Sequence, residues 1–209
     1  MSTTKEETRS HLLKAARKLL VERGFHGVGL EDIAAAAGVS RQAVYKSHFT
    51  SKADLLLALV QHMQVAEKLD ELTRPVLEAR SALAMFEETI LAIVKIEGRV
   101  HDIAMVLSAA AVSDAGAAAA WRDRMEVKRG AMRAAVRRLA DEGRLSAAWE
   151  IEDAVDVLSV LTSVEAYHRL VVERGWTPES LVRKIRELSE GSILTAPRRR
   201  TSKKEKGRR

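Results

Sequence analysis

The chain has 209 residues, of which 46% are hydrophobic and 4% aromatic, with three prolines and no cysteine. This length can bury the core of one large or two small domains, and the lack of cysteine excludes disulfides, thiol catalysis and cysteine-ligated zinc. The first ten residues hold no apolar signal-peptide core, and no run approaches the roughly 18 apolar residues of a membrane span. We therefore expect a soluble cytoplasmic protein with no membrane partner.

The net charge of +6 is unevenly distributed. Residues 1–56 hold nine basic and six acidic side chains, residues 57–196 hold 18 and 22, and residues 197–209 hold eight and one. The basic character thus lies at the two ends. This asymmetry indicates an anionic partner for the N-terminal segment, and the C-terminal tail either assists that binding or is a solvated, disordered extension.

Helical periodicity recurs along the chain, and no strand-like alternation interrupts it. Pro75 and the glycines at 98, 116, 143 and 175 fall at plausible breaks. The sequence thus predicts an all-α fold of about nine helices, near 8–23, 30–37, 40–48, 51–72, 78–97, 101–112, 117–142, 151–173 and 178–193. The segment 154–172 is apolar on nearly all sides, which indicates that a second subunit covers part of it.

The segment EDIAAAAGVSRQAVYKSHF, residues 31–49, has the spacing of a helix-turn-helix. Ala34 is small where two helices cross, Gly38 makes the tight turn, and Val44 is the inward apolar contact. Many other helical hairpins would satisfy this pattern. Its outward side chains favour DNA: Arg41 and Gln42, at the start of the third helix, are suited to guanine and adenine edges.

Other polar groups near this helix are suited to phosphates, which position a protein without reading sequence. Ser51 has capping-box spacing with Asp54, and it opens a helix whose N-terminal amides and dipole favour an anion. The candidate phosphate-binding residues are Tyr45, Lys46, His48, Ser51 and Lys52. A solvated polar helix is the alternative interpretation.

Residues 24–56, GFHGVGLEDIAAAAGVSRQAVYKSHFTSKADLL, resemble the DNA-binding domain of TetR-family transcriptional regulators. The matching motifs are Gly24-Phe25, Ile33-Ala34, Ala37-Gly38-Val39-Ser40, Val44-Tyr45, His48-Phe49 and Ser51-Lys52 with Leu55. Two pairs depart from the pattern. Val28-Gly29 stands where the family has Ser or Thr as a cap, and Lys46-Ser47 replaces a commoner aromatic or basic pair, which leaves the operator sequence open.

The resemblance implies a homodimer that binds duplex DNA through helices one to three and dimerises through its last two helices. It also implies a C-terminal domain that binds a small molecule, with repression relieved by that ligand. The expected organisation is a flexible N-terminus (1–7), a helix-turn-helix DNA-binding domain (8–56), a helical ligand-binding and dimerisation domain (57–196) and a disordered basic tail (197–209).

The ligand site is predicted from apolar stripes on the later helices, whose methionines suit an adaptable, hydrophobic cavity. The candidate residues are Met63, Phe86, Ile90, Met105, Trp121, Met125 and Tyr167. Such a stripe of methionine and aromatic side chains is more often plain core than a binding site. Glu165 and His168, within the most apolar helix, need polar partners, which we expect across the dimer interface or on the ligand.

Two other classes of function remain open. A metal-dependent enzyme would need His62, His101 and His168 to converge from three helices, although the sequence has no HExxH motif and no phosphate-binding loop; we expect no enzyme, no cofactor and no metal. A general nucleic-acid binder driven by residues 197–209 would show the same salt dependence as a repressor but little sequence preference.

Overall fold

The computed structural model describes residues 5–46, 49 and 51–195. For Lys5, Lys46 and Ala53 it describes the backbone alone. Throughout this part of the chain the regular structure is helical, apart from one isolated bridge between Leu145 and Leu194. The predicted all-α fold is confirmed. The basic tail at 197–209 lies outside the described residues.

Four helices build the N-terminal part: α1 (Lys5–Arg23), α2 (Leu30–Ala36), α3 (Arg41–Lys46) and α4 (Lys52–Ala66). Because α1 begins at Lys5, residues 5–7 of the predicted flexible N-terminus are helical. The apolar stripe of α1 is fully buried, and it meets Ile33 of α2 and Val44 of α3, both 0% exposed. This compact core fixes the direction in which α3 projects.

The fourth helix ends earlier than the sequence predicted. α4 stops at Ala66, Lys68 adopts a left-handed conformation with φ of 49°, and α5 (Leu69–Glu78) follows with Pro75 inside it. The prediction that one helix runs to residue 72 and ends before Pro75 was wrong. An interior proline costs a helix about 3 kcal/mol, yet α5 continues through Pro75 where it lies beside α6.

One long helix, α6 (Ala82–Ala110), replaces the two helices predicted at 78–97 and 101–112. Gly98 does not break it. A Cβ atom at Gly98 would lie 2.9 Å from the hydroxyl of Tyr167, so this glycine permits a close approach of two helices.

The remaining helices are α7 (Ala115–Asp141), α8 (Ile151–Leu161), α9 (Val164–Tyr167), which continues as a π-helical segment (His168–Glu173), and α10 (Pro178–Ser192). The helix predicted at 151–173 is therefore interrupted at Thr162. The carbonyl of Thr162 accepts a hydrogen bond from the Lys128 ammonium, while the amide of Ala166 donates to Ser163 Oγ at 3.1 Å. These two bonds replace the helical bond that would have continued α8.

The buried apolar side chains form two clusters. The first joins α1–α4 to Ile103 and Leu107 of α6 and to the start of α7, and the second joins the other ends of α6 and α7 to α8, α9 and α10. α6 and α7 thus extend from the N-terminal core into the C-terminal one. In the described part of the chain, no helix is both long and apolar enough to cross a membrane.

Candidate nucleic-acid interface

The turn between α2 and α3 has the geometry that the sequence indicated. Gly38 has φ of +67°, a left-handed conformation that side chains other than glycine rarely adopt, and the amide of Val39 donates to the carbonyl of Ala34 at 3.0 Å. Ser40 Oγ then accepts from the amide of Ala43 at 3.2 Å and caps α3. These local bonds hold α3 at a fixed angle to α2.

The outward face of α3 carries Arg41, Gln42 and Tyr45, all exposed. Arg41 Nη1 lies 2.6 Å from Glu31 Oε1 of α2, so an ion pair between two helices orients the guanidinium. The Tyr45 hydroxyl and Glu31 together raise the pKa of Arg41 above its ordinary value, and the group stays charged wherever the protein is folded. The backbone of Lys46 ends α3, and His48 lies outside the described residues.

The start of α4 is a capping box. Ser51 Oγ accepts from the amide of Asp54 at 3.0 Å, and Asp54 Oδ2 accepts from the amide of Ser51 at 3.0 Å. An equivalent bond opens α2, where Asp32 Oδ2 accepts from the amide of Gly29 at 2.7 Å. This bond is the reciprocal half of a capping box, and because Gly29 has no side-chain oxygen, the bond that a Ser or Thr cap would accept is absent from α2.

Lys52 has a partner that the sequence reasoning missed. Its ammonium donates to the carbonyl oxygens of Phe25 and Val28 at 2.5 and 3.1 Å, and it lies 4.1 Å from the centre of the Phe25 ring. The side chain therefore fastens the loop between α1 and α2 onto α4. Phe25 and Lys52 lie 27 residues apart, and both belong to motifs of the family pattern, Gly-Phe and Ser-Lys. Their joint presence was the sequence feature that could have indicated this contact.

Arg17 of α1 is a second functional candidate that the sequence did not single out. Its guanidinium binds both carboxylate oxygens of Asp102 on α6, at 3.0 and 2.9 Å, and Glu67 Oε1 at 2.6 Å. It also donates to the carbonyl of Arg99 at 2.9 Å. This Arg17 clamp joins the helix-turn-helix core to α6 and to the end of α4, and a lone arginine on an amphipathic helix gives no sequence signal for such a role.

The seven predicted ligand residues are divided between the two apolar clusters and half-buried positions of α6 and α7. Met63 and Trp121 belong to the first apolar cluster, while Phe86, Ile90 and Tyr167 belong to the second. Met105 and Met125 are half-buried on α6 and α7. Two open surface grooves of about 310 Å³ lie beside α1, and none of the seven residues lines either.

Two of the three histidines considered for a metal site do meet. His101 Nε2 lies 3.0 Å from His168 Nδ1, but among the described residues no group of three or more His, Asp and Glu could hold an ion.

Glu165 and His168 find partners within the chain rather than needing a second subunit. Glu165 Oε1 accepts from Ser108 Oγ at 3.2 Å, and His168 Nε2 lies 3.4 Å from Glu173 Oε1.

Comparison with known proteins places this geometry in a family. Residues 12–59 match the family model for bacterial regulatory proteins of the tetR family. The HTH-type transcriptional activator FasR of Mycolicibacterium smegmatis is 46% identical over 57 residues, which cover 27% of this chain and 26% of that protein. The chain matches between 23% and 44% of the lengths of the curated relatives reported, so sequence similarity covers less than half of each.

Solved structures share the fold over nearly the whole chain. A transcriptional regulator from Saccharomonospora viridis in complex with choline has a TM-score of 0.74 at 19% identity, covering 91% of this chain and 100% of that one. FadR from Bacillus subtilis in complex with stearoyl-CoA has a TM-score of 0.70 at 16% identity, covering 86% and 96%. The helix-turn-helix therefore matches the DNA-binding domain of the tetR family of bacterial regulatory proteins, and the chain as a whole shares the fold of these solved structures.

Proposed function

We propose that this protein regulates transcription as a homodimer that inserts α3 of each subunit into the major groove of a near-palindromic operator. The observation that carries the proposal is the exposed Arg41 and Gln42 at the N-terminal end of α3, held on a rigid core by the Gly38 turn. Arg pairs bidentately with guanine and Gln with adenine, so these two side chains read sequence. A two-fold dimer presents two such helices about one DNA turn apart.

Tyr45, Lys46, His48 and the N-terminus of α4 are assigned to phosphates in this proposal. Ser51 keeps the first turn of α4 formed, and its amides and dipole favour an anion. Because the Lys52 ammonium is bound to Phe25 and Val28, we assign Lys52 to positioning of the α1–α2 loop rather than to direct phosphate contact. Phosphate contacts of this kind give affinity that falls with salt.

Dimerisation through α8 to α10 is supported by apolar side chains that stay exposed there. Val160 is 68% exposed on the side of α8 opposite its buried Val155, and Val172, Trp176 and Leu188 are exposed on the segments that follow. Sedimentation of Val160→Glu tests this assignment, because a buried carboxylate at a two-fold interface is strongly unfavourable. The proposal expects monomers, whereas Val112→Glu, at an 89% exposed position between α6 and α7, should remain dimeric.

The ligand in this proposal is a small hydrophobic molecule with one or two polar groups, bound between α6 and α7. Met105, Trp121 and Met125 are the retained candidates, since they are half-buried on these neighbouring helices. Choline, a small cation, and stearoyl-CoA, an acyl chain on a charged carrier, are bound by two proteins of the same fold and serve as comparison compounds beside small hydrophobic molecules. Each would be titrated against a complex of the protein with a duplex selected for binding from a random library (the selected duplex), with fluorescence anisotropy reporting release.

Repression relieved by ligand is the proposed sign of regulation, although FasR is an activator. A ligand shifts DNA affinity only by its differential affinity for the two conformations. A reporter gene placed behind the selected operator tests the sign. Expression should rise when the regulator is deleted, and a fall would establish an activator.

A further inference from the structure

His101 of α6 and His168, the first residue of the π-helical segment, form a directly bonded pair inside the C-terminal domain. Nε2 of His101 lies 3.0 Å from Nδ1 of His168, and the two rings are within 6° of parallel with centroids 5.1 Å apart. A nitrogen–nitrogen hydrogen bond needs one donor and one acceptor. The contact therefore accommodates a neutral pair or a singly protonated pair, and a second proton places two N–H groups head to head.

The charged groups around the pair come from four elements. Glu97 and Asp102 lie beside His101 on α6, but Lys128 of α7 binds Glu97 at 2.6 Å and Arg17 of α1 binds Asp102. Glu173 of the π-helical segment lies 3.4 Å from His168 Nε2, and the Tyr167 ring lies 5.6 Å from the ring of His101. Both α6 carboxylates near the pair are thus already bound to a cation, and Glu173 is the acidic group that contacts His168 directly.

Burial and the neighbouring His168 lower the pKa of His101 below its ordinary value, against the opposing effect of Asp102 and Glu97. The folded chain therefore protonates His101 less readily than the unfolded chain does. Stability is fully present above the ordinary histidine value of about 6.5 and is lost as the pH falls toward the lowered one.

The His101–His168 pair lies where α6 meets both the π-helical segment and the residues that bind α1. Within the described residues, it bonds α6 to the π-helical segment that leads to exposed Trp176 and α10, and Asp102, the next residue on α6, holds the Arg17 clamp. Irregular π-helical turns are often found at functional sites.

We propose that the His101–His168 pair is an acid-sensitive latch, closed at neutral pH and opened by a second proton, which loosens α6 from the π-helical segment and weakens its hold on the DNA-binding helices. The effect on DNA rests on the function proposed above. The latch itself does not.

The direct test compares thermal unfolding from pH 8 to pH 5 for the unmodified protein, His168→Gln and His62→Gln. Glutamine retains a hydrogen-bonding group that does not titrate, and His62 is a half-buried histidine of α4. The unmodified protein and His62→Gln should lose about 2–4 °C more of their melting temperature on acidification than His168→Gln does. Equal losses in all three proteins would overturn the latch.

A second readout requires only the unmodified protein, in case His168→Gln folds poorly. Carbon-detected NMR of ¹³C-labelled histidines should show two rings titrating in coupled steps, one of them displaced below the ordinary histidine range. Two independent ordinary titrations would overturn the latch. So would stabilisation by Zn²⁺ that EDTA reverses, because the two nitrogens would then be metal ligands.

The link to DNA is tested by anisotropy on the selected duplex at pH 7.5 and 5.5. Affinity should fall at least several-fold more for the unmodified protein than for His168→Gln. A pH-dependent melting temperature with the same affinity change in both proteins would overturn the link. If no duplex is bound with preference at any pH, the proposed function fails while the thermal and NMR tests still decide the latch.

Discussion

At the scale of single residues, the base-reading assignment rests on Arg41 and Gln42. Replacing either by alanine should cost about 1–3 kcal/mol on the selected duplex and relax preference at particular base pairs. Tyr45→Ala, which would remove a proposed phosphate contact, should weaken binding to selected and random duplexes alike. Anisotropy on a panel of single-base variants measures both effects, and equal losses on all duplexes for the three proteins would refute the readout assignment.

Lys52 gives a prediction about folding rather than DNA. Lys52→Met keeps the aliphatic stem over Phe25 but leaves the carbonyls of Phe25 and Val28 without their donor, so unfolding free energy should fall by about 1–3 kcal/mol. Urea denaturation measures this change. Lys18→Met, at a solvent-exposed site of α1, is the control and should stay within about 0.5 kcal/mol. If Lys52→Met lost DNA affinity with unchanged stability, Lys52 would instead be assigned to direct phosphate contact, as the sequence predicted.

Residue-scale features were predictable where their partners are close in sequence. The turn at Gly38, the Ser40 cap and the Ser51–Asp54 capping box all depend on groups within a few positions, and the structure shows each of them. The Arg17 clamp was not predictable, because Asp102 lies 85 residues away and nothing local marks the pair.

At the scale of helices, the sequence could not distinguish a glycine that permits close helix contact from a glycine that faces open space. Gly98 and Gly130 both lie inside long helices, but a Cβ at Gly98 would lie 2.9 Å from the Tyr167 hydroxyl, whereas one at Gly130 meets nothing within 4 Å. The break at Thr162 was hidden for a similar reason, since Lys128 of another helix takes its carbonyl. Such features depend on tertiary partners and not on local propensity.

This contrast predicts opposite effects for one substitution. Gly130→Ala should raise the unfolding free energy by up to about 1 kcal/mol through helix propensity. Gly98→Ala should lower it by about 1–2 kcal/mol, because overpacking outweighs that gain. In a Tyr167→Phe background the nearest remaining ring atom is 3.6 Å from the added carbon, so Gly98→Ala should become stabilising. Urea denaturation of the unmodified protein, the two single variants and the Gly98→Ala/Tyr167→Phe double variant measures these free energies of unfolding. A stabilising Gly98→Ala in the unmodified chain would contradict the close approach of Gly98 and Tyr167.

The ligand site shows a limit of sequence reasoning at the same scale. Phe86 and Ile90 lie on an apolar stripe as predicted, yet each is essentially fully buried within the second cluster. An apolar stripe identifies the inward face of a helix but does not distinguish a packed core from a binding cavity. The retained candidates depend on half-burial, which only the structure shows.

At the scale of the whole molecule, the two apolar clusters are connected through α6 and α7, and the Arg17 clamp bonds α1 to α6. Arg17→Met should leave Asp102 and Glu67 without their shared cation and reduce stability by about 1–3 kcal/mol. We also expect it to reduce any change in DNA affinity that a ligand or acid produces, because the direct bond between α1 and α6 is lost. Lys18→Met again serves as the control, and an unchanged response in Arg17→Met would place the coupling elsewhere.

The central claim is that a dimer reads sequence through α3, and selection of binding sites from a random duplex library tests it most directly. The selection would use the full chain and a chain ending at residue 196. The account predicts that both recover one near-palindromic motif with half-sites about 10 base pairs apart. Salt-sensitive binding without any motif, or binding that disappears with the tail, would contradict it and indicate a general nucleic-acid binder.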